Sequence, residues 1–466
     1  MSNITYQSTR GGEQNLDLTH VLLNGLALDG GLYVPSHLPC FSNQQLCFMR
    51  SLDYPHLTQY VIEPFLDSNF KKNLIFDIID KARDQFDHPA FAPLSMVDRD
   101  LWFLELFHGP TLAFKDFGMQ MLAGLIEYVL HKDHKKMAII GATSGDTGSA
   151  AIHAFKGSDH IRIFMLHPKN RISPFQRAQM TSVLDQNICN IALKGSFDDC
   201  QDLVKAMFND HHLRQQLSLG AVNSINWGRI LAQTIYYFWT GLRLGAPDRP
   251  ISFVVPSGNF GNIYAGWLAR KMGLNIPHLI LASNHNDILT RFIKSNDMSI
   301  KKVVASMSPS MDIQVSSNFE RLLYEILQND GEATKRHIQT LRASGKLDLD
   351  DEKWSFLKSI FMAERVSDPQ TLKQIADHYK NTGMIIDPHS ATGLATALRY
   401  QDKIDHPLVV LATAHAAKFG ETVMQAIGIS APRKAAFNGL ENKPERVTIL
   451  ENSPSALKKL MLEHVC

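Results

Sequence analysis

The sequence is short of the residues that announce a disulfide framework or a metal centre. Cysteine occurs five times in 466 residues, at Cys40, Cys47, Cys189, Cys200 and Cys466, and no pair stands in C-x-x-C spacing. An odd count without paired spacing argues against a disulfide framework and a cysteine zinc site, and for reduced thiols in a cytoplasmic setting. H-E-x-x-H is missing among the 20 histidines. His108, His389 and His415 therefore read as packing or hydrogen-bonding residues, and no metal is expected. G-x-S-x-G is absent as well, which removes the simplest serine hydrolase.

An excess of charge of either sign is also lacking. Forty-seven basic residues face 46 acidic ones, for a formal net charge of +1. Such a chain has no long-range field for a polyanion, so no nucleic-acid partner is expected. Long apolar runs are missing too: residues 119–130 are interrupted by Gln120 and Glu127 and are too short to span a bilayer, so no membrane partner is expected. The opening residues 1–5 lack the basic and apolar regions of a secretory signal. What is present is 44% hydrophobic and 20% charged, the composition of an ordinary folded protein long enough for two or three domains.

Residues 1–90 mix short helical patterns with turns such as Gly11-Gly12 and Gly30-Gly31, and read as an N-terminal accessory domain. From 91 to 466 the texture alternates strand, glycine turn and helix, the pattern of two α/β lobes. Strands are expected at 137–140, 161–166, 251–255 and 408–412. Ser196 is placed to cap the helix that follows it. A mostly helical insertion is expected over about 288–378. The fold class is α/β, with largely parallel sheets flanked by helices.

Two loops carry the first chemical signal. Thr143-Ser144-Gly145-Asp146-Thr147-Gly148 follows one expected strand, and Ser257-Gly258-Asn259-Phe260-Gly261-Asn262 follows another. In a parallel sheet, ligands bind where strand ends meet helix N-termini, whose free N–H groups and partial positive charge favour anions. Neither loop has the pattern of a dinucleotide or nucleotide site. Two of them suggest a ligand with two anionic groups, although a tight strand-to-helix connection explains either one alone.

The second signal is a lysine among apolar neighbours: Lys115 stands beside Leu112, Phe114 and Phe117. Burial lowers an amine's pKa and favours the neutral form that condenses with an aldehyde to a Schiff base. The alternative is an apolar stem whose charged end reaches water.

The segment His108-Gly109-Pro110-Thr111-Leu112-Ala113-Phe114-Lys115-Asp116-Phe117 resembles the cofactor-lysine motif of threonine synthases, a family of fold-type II pyridoxal-phosphate enzymes. The 142–148 loop is similar to that family's substrate-carboxylate loop, and the 257–262 loop to its cofactor-phosphate loop. Thr413-Ala414-His415 resembles the segment whose threonine meets the pyridine nitrogen, and Tyr6-Gln7-Ser8-Thr9-Arg10-Gly11 resembles the opening of the bacterial and fungal branch. Ala416 departs from the family, which usually has Pro there.

The resemblance implies pyridoxal 5′-phosphate bound covalently to Lys115, with Gly258, Asn259, Phe260, Gly261 and Asn262 on the phosphate and Thr413 on the ring. It implies O-phospho-L-homoserine as substrate, its carboxylate met by the loop of Thr143, Ser144, Gly145, Asp146 and Thr147. Asp146 cannot attract a carboxylate and is assigned to shaping that loop. Asn223, Asn226 and Arg229 are candidates for the substrate phosphate, because arginine grips phosphate through two donors. A helix start with a solvated arginine is the alternative there. Two other functions remain open: a related dehydratase, and a catalytically silent sensor of a phosphorylated metabolite. The oligomer is expected to be a monomer or a homodimer.

Overall fold

The computed structural model describes residues 4–143, 145–170, 172–347 and 349–465. Its strands, numbered along the chain, are β1 (Tyr6–Ser8), β2 (Tyr33–Pro35), β3 (Leu94–Asp98), β4 (Leu101–Glu105), β5 (Met137–Ala142), β6 (Ile161–Pro168), β7 (Ile188–Lys194), β8 (Leu219–Gly220), β9 (Ser252–Pro256), β10 (Leu279–Ser283), β11 (Phe361–Arg365), β12 (Leu408–Ala412) and β13 (Thr448–Glu451). A six-stranded sheet runs β11-β10-β9-β12-β4-β3, and a five-stranded sheet runs β13-β7-β6-β5-β8. Every pairing in them is parallel except β3 with β4.

The central strands are apolar because both their faces are covered. β9 (SFVVP) and β12 (LVVLA) are buried along their whole length, as parallel strands sandwiched by helices must be. The helix Pro388–Ala397 packs on β12 and β9, while Trp227–Arg243 packs against Lys115–Lys132 and Gly261–Lys271. Trp227–Arg243 is buried from Trp227 to Leu242. It is apolar on nearly every side, as a helix at the centre of a domain requires.

The N-terminal segment is bolted to the rest by aromatic packing and one buried ion pair. The indole of Trp227 meets Tyr6 with 6.1 Å between ring centroids and Phe65 with 6.4 Å. Arg10 grips Glu320 through two parallel hydrogen bonds, Nε to Oε1 at 2.9 Å and Nη2 to Oε2 at 2.7 Å. Both side chains are more than nine-tenths buried, so the fork also satisfies charges that would otherwise be stranded away from water.

The stretch 288–378 is helical in Ile288–Ser295, Phe319–Ile326, Gly331–Ser344, Asp351–Ile360 and Asp368–Thr382, and it also supplies β11. β11 lies at the sheet edge, where Phe361 and Ala363 face the core and Glu364 pairs with Lys294 and Arg399. Its mixed polarity follows from that edge position and hides it among helical patterns. Ser196 caps the helix Phe197–Asn209 as expected, accepting a 3.1 Å bond from Asp199 N–H. Residues 119–130 lie within Lys115–Lys132, and among the described residues no helix is long and apolar enough to cross a membrane. Cys40, Cys47, Cys189 and Cys200 are free thiols. Cys466 falls outside the described residues.

Candidate active site

Four strand ends converge on one place. β4 leads into the loop before Lys115, the first residue of Lys115–Lys132, and β12 ends one residue before Thr413. The two connections are stitched together: Leu106 N–H donates to Ala412 O at 2.9 Å, Phe114 N–H to Thr413 O at 2.9 Å, and His415 N–H to Leu112 O at 3.0 Å. β5 feeds the helix Asp146–Phe155, and β9 feeds Gly261–Lys271. Both helices point their N-termini into the convergence, as ligand sites in open α/β sheets do.

Lys115 Nζ donates to Asp146 Oδ2 at 3.2 Å and to Ser310 Oγ at 3.3 Å, and its side chain is 13% exposed. Burial pushes its pKa below the ordinary lysine value; Asp146 opposes that, and the Lys418 and Arg229 charges reinforce it. Asp146 has a second cation on its other oxygen, Lys418 Nζ at 2.8 Å from Oδ1. Gln176 Nε2 donates to the same Oδ1 at 2.8 Å. Burial raises the Asp146 carboxyl, yet the two ammonium groups hold it well below its ordinary value.

Thr143 shapes the first loop from within: its Oγ1 accepts from Gly145 N–H at 3.0 Å and from Gly148 N–H at 2.9 Å. Gly145 adopts φ 141°, and a Cβ there would sit 2.6 Å from the Gln176 side chain, so any other residue would break the approach that lets Gln176 reach Asp146. Thr147 is half-buried beside it. Ser144 lies outside the described residues.

The second loop is held from outside. Ser316 Oγ donates to Gly258 O at 2.8 Å, and Asn318 donates to Asn259 O through N–H at 3.1 Å and Nδ2 at 3.0 Å. Phe260 takes φ 63° to turn the chain into the helix that Gly261 begins. Asn262 Oδ1 accepts from Tyr236 at 2.6 Å and Tyr237 at 3.0 Å. Its Nδ2 is buried without a partner among the described residues. An orphaned donor at a helix N-terminus is suited to an anion.

A family model described as pyridoxal-phosphate dependent enzyme matches residues 87–414; models of the threonine synthase N terminus and of the threonine synthase C-terminal region match 5–83 and 390–461. The threonine synthase of Pseudomonas aeruginosa is 46% identical over 98% of this chain and 98% of its own. That of Saccharomyces cerevisiae is 38% identical over 91% and 89%. The crystal structure of pyridoxal-phosphate-bound threonine synthase from Brucella melitensis superimposes with a TM-score of 0.96 at 44% identity, covering 99% of each chain. This chain belongs to the threonine synthase family. It is a pyridoxal-phosphate-dependent lyase of fold type II.

The residues present fit that cofactor. The unpartnered Asn262 Nδ2 and the N-terminus of Gly261–Lys271 suit its phosphate. The depressed Lys115 amine suits its aldehyde. Thr413, 5% exposed and directly after β12, brings a hydroxyl to the same strand end.

The three residues expected at a substrate phosphate fare differently. Arg229 is 2% exposed, gives one bond through Nη1 to Val222 O at 3.1 Å, and leaves Nε without a partner among the described residues. Burial lowers its pKa to about 10, and among the described residues Tyr236, not a carboxylate, is what opposes it. The alternative of a solvated arginine is thereby excluded. Asn226 spends its amide on structure, donating to Leu22 O at 2.9 Å and accepting from Gly228 N–H at 3.0 Å to cap Trp227–Arg243. Asn223 is exposed.

Sequence reading missed Lys418, Gln176 and Ser310, which touch Asp146 or Lys115 from distant parts of the chain. It also missed the support of Ser310, whose N–H donates to His389 Nε2 at 3.3 Å while Nδ1 of that ring faces Asp387 Oδ2 at 2.7 Å. These partners put the His389 proton on Nδ1. Nothing in the local sequence around 310, 389 or 418 points to Lys115.

Proposed function

We propose that this chain converts O-phospho-L-homoserine and water into L-threonine and inorganic phosphate. The observation that carries this reading is the pairing of a buried, depressed Lys115 amine with a buried Arg229 that no carboxylate neutralises among the described residues. A guanidinium so placed is costly unless an anion joins it, and the cofactor phosphate is already provided for at Asn262. A substrate carrying its own phosphate supplies the second anion.

Bound pyridoxal 5′-phosphate supplies an electron sink that permits loss of phosphate from the substrate Cγ and addition of water at Cβ. The protein's part is binding, orientation and proton transfer. Lys115 holds the cofactor at rest, and its freed Nζ removes and returns protons at the substrate carbons, a task suited to an amine whose pKa burial has lowered. Ser310 and Asp146 accept its N–H groups and thereby aim its lone pair. Main-chain N–H groups of Gly258, Asn259, Phe260 and Gly261, with Asn262 Nδ2, would hold the cofactor phosphate. Thr413 would offer the cofactor ring a neutral hydroxyl. The loop from Thr143 through Ser144, Gly145, Asp146 and Thr147 receives the substrate carboxylate, Asp146 serving its shape. Arg229, with Asn223 at the rim and Asn226 fixing the turn, receives the substrate phosphate.

We read residues 1–90 as the N-terminal domain and 91–466 as the catalytic region, the first supported by the shared aromatic packing at Trp227. The four described thiols, Cys189 and Cys200 buried and Cys40 and Cys47 exposed, are unpaired, which supports a cytoplasmic location. Balanced charge supports a small-molecule substrate without nucleic acid, and the working form is a monomer or homodimer.

Incubation with O-phospho-L-homoserine and assay of both products tests the reading. Equal amounts of phosphate and threonine are expected. An enzyme that deaminates threonine or serine while ignoring the phosphorylated substrate would be a dehydratase instead.

A further inference from the structure

Asp146 sits between two lysines, and the second of them has no place in the chemistry described above. The Lys418 side chain is wholly buried. Its partners are Asp146 Oδ1 at 2.8 Å and Thr111 O at 2.6 Å, the latter belonging to the loop that leads into Lys115. Lysine is rarely buried without a reason, because its ammonium loses hydration that few contacts restore.

We infer that Lys418 is a positioning residue that serves as the permanent counter-ion of Asp146 and so leaves Lys115 free to exist as a neutral amine. The inference rests on the reading of Lys115 as the base. Asp146 alone beside Lys115 would form a buried ion pair with it and hold it protonated, which quenches a base. With Lys418 on the opposite oxygen, Asp146 and Lys418 already sum to zero charge. A proton on Lys115 then creates an uncompensated positive charge in a buried site, which is costly.

The other groups around Lys115 agree with this balance. Arg229, from Trp227–Arg243, adds positive charge without a carboxylate of its own. Asp116, next along the lysine helix, accepts from Thr111 N–H at 2.9 Å and Thr111 Oγ1 at 2.6 Å and lies within the field of Lys418, whereas the Lys115 amine donates to Asp146 and Ser310. His389, behind Ser310, accepts a main-chain N–H and carries its proton toward Asp387. Lys418 also bridges the two segments that follow β4 and β12, so a single side chain sets both the charge and the spacing.

The test is Lys418→Met in the full chain, with Lys418→Arg as the variant that keeps the charge. Cofactor-free protein is pulse-labelled with trace acetic anhydride across pH, and mass spectrometry of the Lys115 peptide gives the midpoint at which the amine becomes reactive. In Lys418→Met the midpoint should rise by about one pH unit, about a tenfold loss of neutral amine. In Lys418→Arg it should stay near the parent value. The acid limb of the holoenzyme's kcat profile should move with the midpoint, so that high pH restores much of the Lys418→Met rate. A structural defect would not do this. An unmoved midpoint in Lys418→Met overturns the inference. If circular dichroism shows Lys418→Met unfolded, Lys418→Arg decides: a displaced midpoint overturns the inference and an unmoved one supports it. Lys115→Ala separates the two ideas, because full turnover in that variant refutes the base itself, whereas an inactive Lys115→Ala with an unmoved Lys418→Met midpoint refutes the counter-ion alone.

Discussion

Tyr236 donates its hydroxyl to Asn262 Oδ1 across 2.6 Å, and Tyr237 donates to the same oxygen at 3.0 Å. With the amide oxygen facing both hydroxyls, the Nδ2 group lies on the opposite side of the amide. The carbonyl is committed to helix Trp227–Arg243, and the Nδ2 is left for the loop at the head of Gly261–Lys271. A buried helix thus orients the donor proposed for the cofactor phosphate.

Asn262→Ala is therefore expected to weaken pyridoxal 5′-phosphate binding by about tenfold to a hundredfold, the worth of one hydrogen bond to a charged group. Tyr236→Phe should weaken it less, because Tyr237 remains. Absorbance titration of cofactor-free protein measures both. Unchanged affinity in Asn262→Ala would contradict the assignment.

Gly258 is a point of close approach between this loop and the one that carries Ser310. A Cβ at 258 would lie 2.7 Å from Ser310 O and 3.3 Å from Met311 Cα. Gly258→Ala must displace main chain on one side, and Ser310 Oγ with it. We expect turnover to fall by at least about tenfold with little change in melting temperature, since a sub-ångström displacement costs orientation more than stability. Wild-type kcat in this variant would show that Ser310 is not needed where it stands.

The strands and the two glycine-rich strand-to-helix loops were legible in the sequence because their causes are local. A strand buried on both faces needs an unbroken apolar run, and a tight turn from it into a helix needs glycine and small hydroxyl or amide residues; 137–148 and 251–262 contain both signals. β11 was illegible because an edge strand needs only half of its side chains apolar. Lys418 was illegible for a different reason. Its neighbours Ala416, Ala417 and Phe419 would suit any buried turn, and its partner Asp146 lies far away in sequence. Charge balance in a buried site is set by the fold and leaves no periodic trace. Arg229 could be nominated from its residue type, but whether it was solvated or stranded depended on the helix that buried it.

Asp116 offers a pH test. Burial pushes its carboxyl up to about 6, against the lowering effect of the Thr111 donors. A pKa raised on folding means that the native state binds the proton more tightly. The associated stability is full below the ordinary carboxylate value and is lost as pH rises through about 6. Asp116→Asn imitates the protonated form. Relative to the parent chain it should gain on the order of 1–3 kcal/mol between pH 4 and pH 7 in urea unfolding. A parallel pH dependence of the two proteins would contradict the shift.

Arg229→Met should raise KM for O-phospho-L-homoserine by at least about tenfold, the minimum expected for losing a charged contact to phosphate. Pyridoxal 5′-phosphate affinity should change little. Equal losses in substrate and cofactor binding would place Arg229 on the wrong anion.

The most direct test of the whole account is a visible absorption spectrum taken before and after O-phospho-L-homoserine is added, with phosphate and threonine assayed in the same cuvette and Lys115→Ala run alongside. The account predicts a cofactor band that changes on addition of substrate while the two products appear in equal amounts, and neither product from Lys115→Ala. A band that ignores the phosphorylated substrate, or full turnover without Lys115, would contradict it.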